Sequence, residues 1–436
     1  MTFFYGRLSV QPWMNAPETR RLMAALDGLG PDAEGPPLVS TDTVDTDAAV
    51  DRAFSYKSRF VGGCVRDALA NRRVVDIDIA TSLLPDEVMA RLTAAKINYV
   101  PTGLQHGTIT AIVDSKPFEI TTLRIDSKTD GRRAEVRYTD DWKKDAARRD
   151  FTINAMSATI DGDVFDYFGG LEHLRTGRVM FVGEPEKRIT EDYLRVLRYF
   201  RFLAQFGWGG TDPQALAACE KLAKNVARLS AERIRQETLK ILDSERCAEV
   251  WQLMITHRVV THFLPEAMNV TALERLIALE KEHHSAGSAI RRLAAVLDVQ
   301  IQDIPHITKA LRLSNEQADR LTGMKEPFPV AELRARDADR SVRRLVYRRG
   351  ADMVRSAMLL AEASGAAIPD FAKLYATASS FRAPPFPIEG NDVTALGVLP
   401  GPMTGRLLRD VENWWVNEDF QPGRTDCLTK LKAFLS

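Results

Sequence analysis

The sequence lacks an excess of charge of either sign. Lys plus Arg and Asp plus Glu both number 59 among the 436 residues, so the formal net charge is zero. A chain without net charge has no global attraction to nucleic acid, and any RNA site must be a local basic patch. Hydrophobic residues make up 45% and charged residues 27%, which is ordinary for a soluble globular protein. The chain is longer than an ordinary domain with one hydrophobic core, so we expect several domains.

The sequence also lacks paired cysteines and long apolar runs. Cys64, Cys219, Cys247 and Cys427 lie far apart and form no CxxC pair, which argues against a zinc ribbon or a disulfide framework. No uncharged apolar stretch is long enough to span a membrane, and Met1–Arg7 is not a basic start followed by an apolar run. These absences predict a cytoplasmic protein that does not associate with membranes.

The most informative stretch joins a glycine turn to two carboxylates. Residues 60–69 predict a strand, a turn at Gly62 and Gly63, and then a helix. Glycines let a phosphate approach the main chain, and the start of a helix offers unpaired N–H groups. In an extended strand Asp76 and Asp78 would project from the same side, because they are two residues apart. Two aligned carboxylates beside a phosphate cradle can hold two Mg²⁺ ions.

This composite resembles the first motif of the class II nucleotidyltransferases, GG-x-VRD followed by DxDxAT, as found in tRNA CCA-adding enzymes and bacterial poly(A) polymerases. Later segments resemble other motifs of that family, in the same order. They are the RRDFTINAM run at 148–156, the connector at 166–171, the EDYLRVLR run at 191–198, the brace at 228–237 and the tail motif at 390–402. The resemblance therefore spans nearly the whole chain.

The resemblance implies the fold class and the domain organisation. We expect an α+β protein in which a nucleotidyltransferase head with a mixed β-sheet (1–165) is followed by an all-α neck (166–240), body (241–330) and tail (331–436). Beyond Asp212, apolar residues recur at intervals of three and four residues, which independently predicts an array of helices.

The resemblance also implies roles for individual residues. Asp76 and Asp78 are expected to bind Mg²⁺ and to be catalytic. Glu119 lies in an apolar run where a charge needs a partner, and it is either a strand-edge residue or a third carboxylate of the metal site. The predicted nucleotide-binding residues are Gly62, Gly63, Arg66, Arg149, Asp150, Asn154, Glu191, Asp192, Arg195, Arg198 and Arg201. In relatives, the residues that match Arg149 and Asp150 touch the nucleotide and the sugar.

One predicted helix, with Thr190 as its cap, places Glu191, Asp192, Arg195 and Arg198 on one face. Cytosine and adenine each present an amino donor beside a ring-nitrogen acceptor, whereas uracil and guanine present a carbonyl beside a ring N–H. Asp accepts only and Arg donates only. Asp192 and Arg195 therefore match C and A and leave U or G with unpaired groups. The protein itself would then act as the template.

Three further segments carry predictions. Residues 124–144 mix both charges without a period and predict a mobile loop, and residues 30–47 predict a loop before the glycine turn. The tail concentrates arginines with few acids between them, which predicts a phosphate-binding surface. The predicted RNA-binding residues are Arg340, Arg343, Arg344, Arg348 and Arg349.

Together these features predict a template-independent tRNA nucleotidyltransferase that adds the 3′-terminal CCA from CTP and ATP, by metal-assisted attack of the 3′-hydroxyl on the α-phosphate. The oligomeric state stays open. A poly(A) polymerase or an A-adding enzyme is the close alternative, although the basic block of that subgroup is missing after Glu119. CC-adding relatives resemble this sequence with the 124–144 loop shortened. A non-catalytic RNA-binding protein is the alternative of another class, and the presence of both Asp76 and Asp78 argues against it.

Overall fold

The computed structural model describes residues 4–28, 55–126 and 136–435. The chain forms two compact units. One comprises Met1–Leu229 with His257–Val259, and the other comprises Ser230–Thr256 with Val260–Ser436. The loop predicted at 30–47 lies outside the described residues.

The first unit is built on a mixed β-sheet, as predicted. Its described strands are β1 Phe4–Arg7, β2 Ser58–Val61, β3 Asp78–Thr81, β4 Asn98–Gly103, β5 Thr108–Val113, β6 Lys116–Thr122, β7 Arg124–Asp126, β8 Val136–Tyr138, β9 Ser157–Ala158 and β10 Asp163–Phe165. Eight of them form one sheet in the order β1-β10-β9-β2-β3-β6-β5-β4. β3 and β6 run parallel, and β3 runs antiparallel to its other neighbour, β2.

The first unit also contains eight described α-helices. They are α1 Pro17–Leu26, α2 Gly63–Leu69, α3 Pro85–Ala94, α4 Trp142–Ala147, α5 Gly170–Arg175, α6 Pro185–Glu191, α7 Leu194–Phe206 and α8 Pro213–Leu222. All four residues of β2 are buried, whereas β6 alternates, with Phe118 and Ile120 buried and Glu119 exposed between them. This period of two is typical of a strand with one covered face. The central strands therefore form the core, and their ends carry polar side chains.

The second unit is helical throughout its described residues, which confirms the predicted array. Its helices are α9 Ala231–Leu242, α10 Cys247–Thr256, α11 Val270–Glu282, α12 Ala289–Val296, α13 Ile304–Ala310, α14 Asn315–Lys325, α15 Val330–Leu333, α16 Ala338–Arg349, α17 Ala351–Ala363, α18 Phe371–Ser380, α19 Gly390–Thr394, α20 Pro402–Asn417 and α21 Arg424–Leu435. Ser230 occupies the N-cap position of α9, as predicted, but its side chain forms no capping hydrogen bond. Among the described helices of both units, none combines the length and the apolar character that a bilayer span requires.

The segment 124–144 differs from its prediction. The structure pairs β7 with β8 in an antiparallel two-stranded sheet, and α4 begins at Trp142. The prediction of a loop is therefore wrong for these residues, while residues 127–135 lie outside the described part of the chain. Strands of three residues are too short to show a period of two, so these two strands could not be predicted from the hydrophobic pattern.

Candidate active site

The glycine turn brings three predicted site residues together. Gly62 links β2 to α2 with a φ of 71°, a conformation that favours glycine. A Cβ atom on Gly62 would lie 3.1 Å from Nη1 of Arg149 and 3.9 Å from Oδ2 of Asp78. Gly63 does not have a positive φ, and a Cβ there would lie 3.7 Å from Nη2 of Arg66. The missing side chain of Gly62 is thus what lets Arg149 and Asp78 approach the turn.

Two of the predicted carboxylates lie side by side on neighbouring strands. Asp78 is the first residue of β3, and it is paired in register with Glu119 on the parallel strand β6. Because β6 lies between β3 and β5, Glu119 is on an interior strand, so the strand-edge interpretation is wrong. Asp76 is exposed and precedes β3 by two residues, so the prediction that it belongs to the same strand as Asp78 is also wrong.

The electrostatics of these carboxylates favour a bound cation. Burial raises the pKa of Asp78, and the negative charges of Glu119 and Asp76 raise it further, while Arg149 acts in the opposite direction. Carboxylate oxygens are the ligands that hard divalent cations prefer. Within residues 4–28, 55–126 and 136–435, no three acidic, histidine or cysteine side chains converge as a preformed metal cluster. The donor chemistry and the repulsion at Asp78 nevertheless fit a divalent cation.

A hydrogen-bonded chain joins four of the predicted nucleotide-binding residues. Nη1 of Arg66 on α2 donates to Oδ1 of Asn154 at 2.6 Å, and Nδ2 of Asn154 donates to Oδ1 of Asp150 at 2.9 Å. Nε of Arg198 on α7 donates to Oδ2 of Asp150 at 2.6 Å. The structure therefore brings together residues that are far apart in the sequence.

Asp150 is the acidic centre of this chain. Its carboxylate is buried and also accepts a hydrogen bond from the main-chain N–H of Phe151 at 2.8 Å. Burial acts to raise the pKa of Asp150, but the charge of Arg198 and the bond from Asn154 outweigh it, so the pKa is lowered. Both carboxylate oxygens already accept from protein groups, and contact between Asp150 and the sugar stays a prediction.

One aromatic ring supports the arginines on this side of the site. The guanidinium of Arg201 lies 4.2 Å from the ring centroid of Phe202, and those of Arg66 and Arg198 lie at 5.0 and 5.4 Å. Phe202 is itself 1% exposed. Aromatic faces attract cations, so Phe202 stabilises three positive charges that would otherwise repel one another.

The predicted single helix over the EDYLRVLR run is wrong. Helix α6 ends at Glu191, and Asp192 has an extended conformation with φ −154° and ψ 107° before α7 begins. Oδ1 of Asp192 accepts the main-chain N–H of Leu194 at 3.0 Å, so Asp192 satisfies a donor at the start of α7. Thr190 is not a cap, because its hydroxyl donates to the carbonyl of Glu186 inside α6. Helical spacing could not reveal a break whose cause is a local cap.

The side chain of Arg195 is held in place by residues that precede this break. Its Nη1 donates to Oε2 of Glu191 at 2.6 Å and to the carbonyl of Arg188 at 2.7 Å, and its Nη2 lies 3.4 Å from the carbonyl of Arg148. The Nε–H group and one Nη2–H group have no hydrogen-bond partner within the described residues. These two donors are available to a ligand, while Glu191 forms an ion pair with Arg195.

Sequence reasoning missed Arg188 and Asp145. Arg188 is 8% exposed, and its Nη2 donates to the carbonyl of Arg149 at 2.7 Å while its Nη1 pairs with Glu191. Asp145 is 3% exposed and pairs with Arg148 and Arg149. The residues of each ion pair are three or four positions apart, as in helical ion pairs, and this spacing is the feature of the sequence that could have predicted them.

The five predicted RNA-binding arginines all lie on α16, in the second unit. Arg343 forms an ion pair with Asp419, in which Nε donates to Oδ1 at 2.8 Å. Arg344 and Arg349 pair with Glu332 and Glu326, each at 2.8 Å. Arg340 lies 3.9 Å from Glu418, and Arg348 donates to the amide oxygen of Asn413 at 3.2 Å. Among these five, within the described residues, Arg348 is the one whose partner carries no charge.

The fold and this site have the parts of a nucleotidyltransferase. Residues 58–180 match a family described as "Poly A polymerase head domain", and residues 211–270 match one described as "Probable RNA and SrmB- binding site of polymerase A". The chain is 32% identical to the CCA tRNA nucleotidyltransferase 1, mitochondrial, of Danio rerio, over 86% of this chain and 87% of the relative. It is also 32% identical to the protein of that name from Homo sapiens, over 87% of each.

A solved structure gives the same result. The crystal structure of the Bacillus stearothermophilus CCA-adding enzyme in complex with CTP superposes with a TM-score of 0.67 at 26% identity, covering 86% of this chain and 92% of that one. The chain therefore belongs to the class II family of CCA-adding tRNA nucleotidyltransferases and poly(A) polymerases. Enzymes of this family use a divalent metal ion.

Proposed function

We propose that this protein adds the 3′-terminal CCA to tRNA, using CTP and ATP. The observation that carries the proposal is that Asp78 and Arg149 meet at the Gly62 turn, with Glu119 beside Asp78 on the neighbouring strand. The relatives that match most of the chain's length are CCA tRNA nucleotidyltransferases. Carboxylates beside a glycine turn and an arginine are what transfer of a nucleotide from a triphosphate requires.

We assign the reacting end of the site as follows. Asp76 and Asp78 hold the cation, which we propose is Mg²⁺, and Glu119 adds a third carboxylate beside Asp78. When bound, the ion activates the attacking 3′-hydroxyl and neutralises charge on the phosphates. Arg149, at the Gly62 turn, holds the triphosphate and stabilises the negative charge that develops on it.

The other end of the site reads the base. Asp192 accepts the exocyclic amino group that C and A share, and a free N–H of Arg195 donates to the adjacent ring nitrogen. Glu191 and the carbonyl of Arg188 orient Arg195. The Arg66, Asn154, Asp150 and Arg198 chain supports the nucleotide-binding surface between the two ends. No nucleic-acid template is needed for this choice.

The experiment that tests the proposal uses tRNA lacking its last one, two or three nucleotides, with each NTP separately and all four together. We expect CTP to extend the two shorter substrates and ATP to complete the longest one, with product addition ending after CCA. Products sized on denaturing gels distinguish the alternatives. A continuing ladder of A would indicate a poly(A) polymerase, addition of A alone would indicate an A-adding enzyme, and no extension would indicate a non-catalytic RNA-binding protein.

A variant lacking residues 127–135 serves as the comparison in that assay. CC-adding relatives resemble this sequence with a shortened segment here, so the variant should still add CC and should lose most addition of A. Equal loss of C and A would mean that the segment supports the first unit in general and does not switch the pocket between bases.

The α16 arginines are proposed to bind the tRNA, with unequal contributions. Arg348→Ala should weaken tRNA binding and reduce the slope of log Kd against log salt by roughly 0.9, the value for one phosphate contact. Arg343→Ala should lower Tm more, because Arg343 is paired with Asp419 and its loss leaves a half-buried carboxylate without its cation. Filter binding at several salt concentrations and thermal melting measure the two effects. An unchanged salt slope for Arg348→Ala would exclude that residue from the RNA surface.

The remaining assignments keep the sequence predictions. We propose the division into head, neck, body and tail at residues 165, 240 and 330 for the functional parts of the chain. The cytoplasmic location stays a prediction, since the animal relatives are named as mitochondrial.

A further inference from the structure

A buried carboxylate beside the candidate active site has no role in the assignments made above. Asp145, on α4, is 3% exposed. Its Oδ1 accepts from Nε of Arg148 at 2.9 Å and from the main-chain N–H of Arg124 at 3.2 Å. Its Oδ2 accepts from Nη2 of Arg149 at 3.4 Å. One acidic side chain thus contacts two arginines and the first residue of β7.

The helix that carries Asp145 is anchored to the strands that carry the site. Trp142, in the first turn of α4, packs against Val61 of β2, Ala80 of β3 and Leu123. The guanidinium of Arg59, also on β2, lies 4.2 Å from the centroid of the Trp142 ring. Since β2 leads into Gly62 and β3 begins at Asp78, Asp145 occupies a fixed position relative to both.

Arg149 connects Asp145 to the candidate active site. One of its terminal nitrogens, Nη2, donates to Asp145, while the other, Nη1, lies 3.1 Å from the position that a Cβ atom on Gly62 would take and donates to the carbonyl of Asn154 at 3.4 Å. A long arginine side chain loses considerable conformational entropy when a ligand orders it. An arginine that is already held by a carboxylate has lost that freedom before the ligand arrives.

We propose that Asp145 is a positioning residue that fixes the Arg149 guanidinium against the Gly62 turn for the incoming triphosphate. Through the N–H of Arg124, the same carboxylate ties the start of the β7–β8 pair to this arginine. The inference rests on the proposed function, because it takes Arg149 as a ligand of the triphosphate. Since the triphosphate is common to all NTPs, loss of Asp145 weakens CTP and ATP binding alike and leaves the choice of base unchanged.

The test begins with Asp145→Asn, which keeps the size of the side chain and removes its charge. We expect Kd for CTP and for ATP, measured by isothermal titration calorimetry, to rise roughly tenfold each, as for the loss of one charge-assisted contact. Asp141→Asn is the matched control. Asp141 is the N-cap of the same helix, and within the described residues its side chain contacts Lys143 and Lys144. Asn is an equally good cap, so Kd should not change.

A double-mutant cycle shows whether Asp145 acts through Arg149. Arg149→Ala should weaken nucleotide binding by itself, and adding Asp145→Asn to it should weaken binding no further. Additive losses, or an unchanged Kd for Asp145→Asn alone, would overturn the positioning role while the proposed function stands. Full nucleotide affinity in Arg149→Ala would refute both the assignment of Arg149 and the inference that rests on it.

A second variant keeps the test usable if Asp145→Asn lowers the yield of folded protein. Asp145→Glu retains the charge but displaces it by one methylene, so it should keep Tm closer to that of the unmodified protein and still raise Kd for both nucleotides. If both variants lower Tm and neither changes Kd, Asp145 is a structural ion pair only.

Discussion

Replacing Asp78 with Asn should lower the rate of transfer of every nucleotide by roughly 10³-fold or more, because several kcal/mol of stabilisation by the cation depend on this carboxylate. The loss should be equal for CTP and ATP, since the chemistry at the α-phosphate does not involve the base. Single-turnover rates with each nucleotide and a matching tRNA measure the effect. Asp76→Ala should behave in the same way.

The Asp78→Asn substitution should not destabilise the metal-free protein. The pKa of Asp78 is raised by burial and by the charges of Glu119 and Asp76, so the folded state binds a proton there more tightly than the unfolded state does. Above that pKa the ionised carboxylate therefore lowers the free energy of unfolding, and Asn removes this cost. Tm in EDTA at neutral pH should equal or exceed that of the unmodified protein.

Asp86→Asn is the control for both measurements, since Asp86 is an exposed acid on α3 of the same unit. It should leave the transfer rate unchanged. A near-normal rate for Asp78→Asn in Mg²⁺ would show that the cation is held elsewhere. A large fall in Tm would show instead that the carboxylate is needed for folding.

Replacing Arg195 with Ala should reduce discrimination between bases more than it reduces the chemistry. A polar contact to the correct base is worth roughly 1–3 kcal/mol, which corresponds to about 5- to 150-fold in relative efficiency. The kcat/KM for CTP and ATP should fall while relative use of UTP and GTP rises, and Asp192→Ala should do the same. Competition assays with pairs of nucleotides on one tRNA measure the ratio directly.

Glu191→Gln is the matched comparison for Arg195→Ala. Glu191 orients Arg195 from a distance of 2.6 Å but also pairs with Arg188, so the variant should lower efficiency and change base choice less than Arg195→Ala does. Full preference for C and A in both Asp192→Ala and Arg195→Ala would mean that this region is a set of structural ion pairs, and the template would lie on other residues.

Periodic features of the chain could be predicted from the sequence. Apolar residues recur every three or four residues in the helices after Asp212 and every two residues in strands β5 and β6, because each of these elements buries one face. The residues around the site could be named because motifs of a known family contain them. The meeting of Arg66, Asn154 and Arg198 in one network agrees with those motifs, although no spacing within the sequence predicts it.

Features set by local caps or by tertiary partners could not be predicted. The break at Asp192 arises from a single side-chain bond to Leu194, and helical spacing continues through it. Glu119 looked like a charge in an apolar run, yet its position opposite Asp78 depends on which strands become neighbours. Asp145 and Arg188 have ordinary helical spacing, and only the folded chain shows that they are buried and hold the arginine pair from two sides.

The interruption between α6 and α7 also affects how Asp192 and Arg195, the two residues proposed to read the base, can move relative to each other. Had both lain on one helix, the distance between the Asp192 carboxylate and the Arg195 guanidinium could change only through their rotamers. Instead, Asp192 and Tyr193 connect two separate helices. Arg195 lies on α7, whereas Glu191, which accepts its hydrogen bond, lies on α6. A small rotation about the main-chain torsions of Asp192 and Tyr193 would change the distance between the Asp192 carboxylate and the Arg195 guanidinium. Pyrimidines and purines differ in width, and such a rotation would let the pair of side chains proposed to read the base fit either of them.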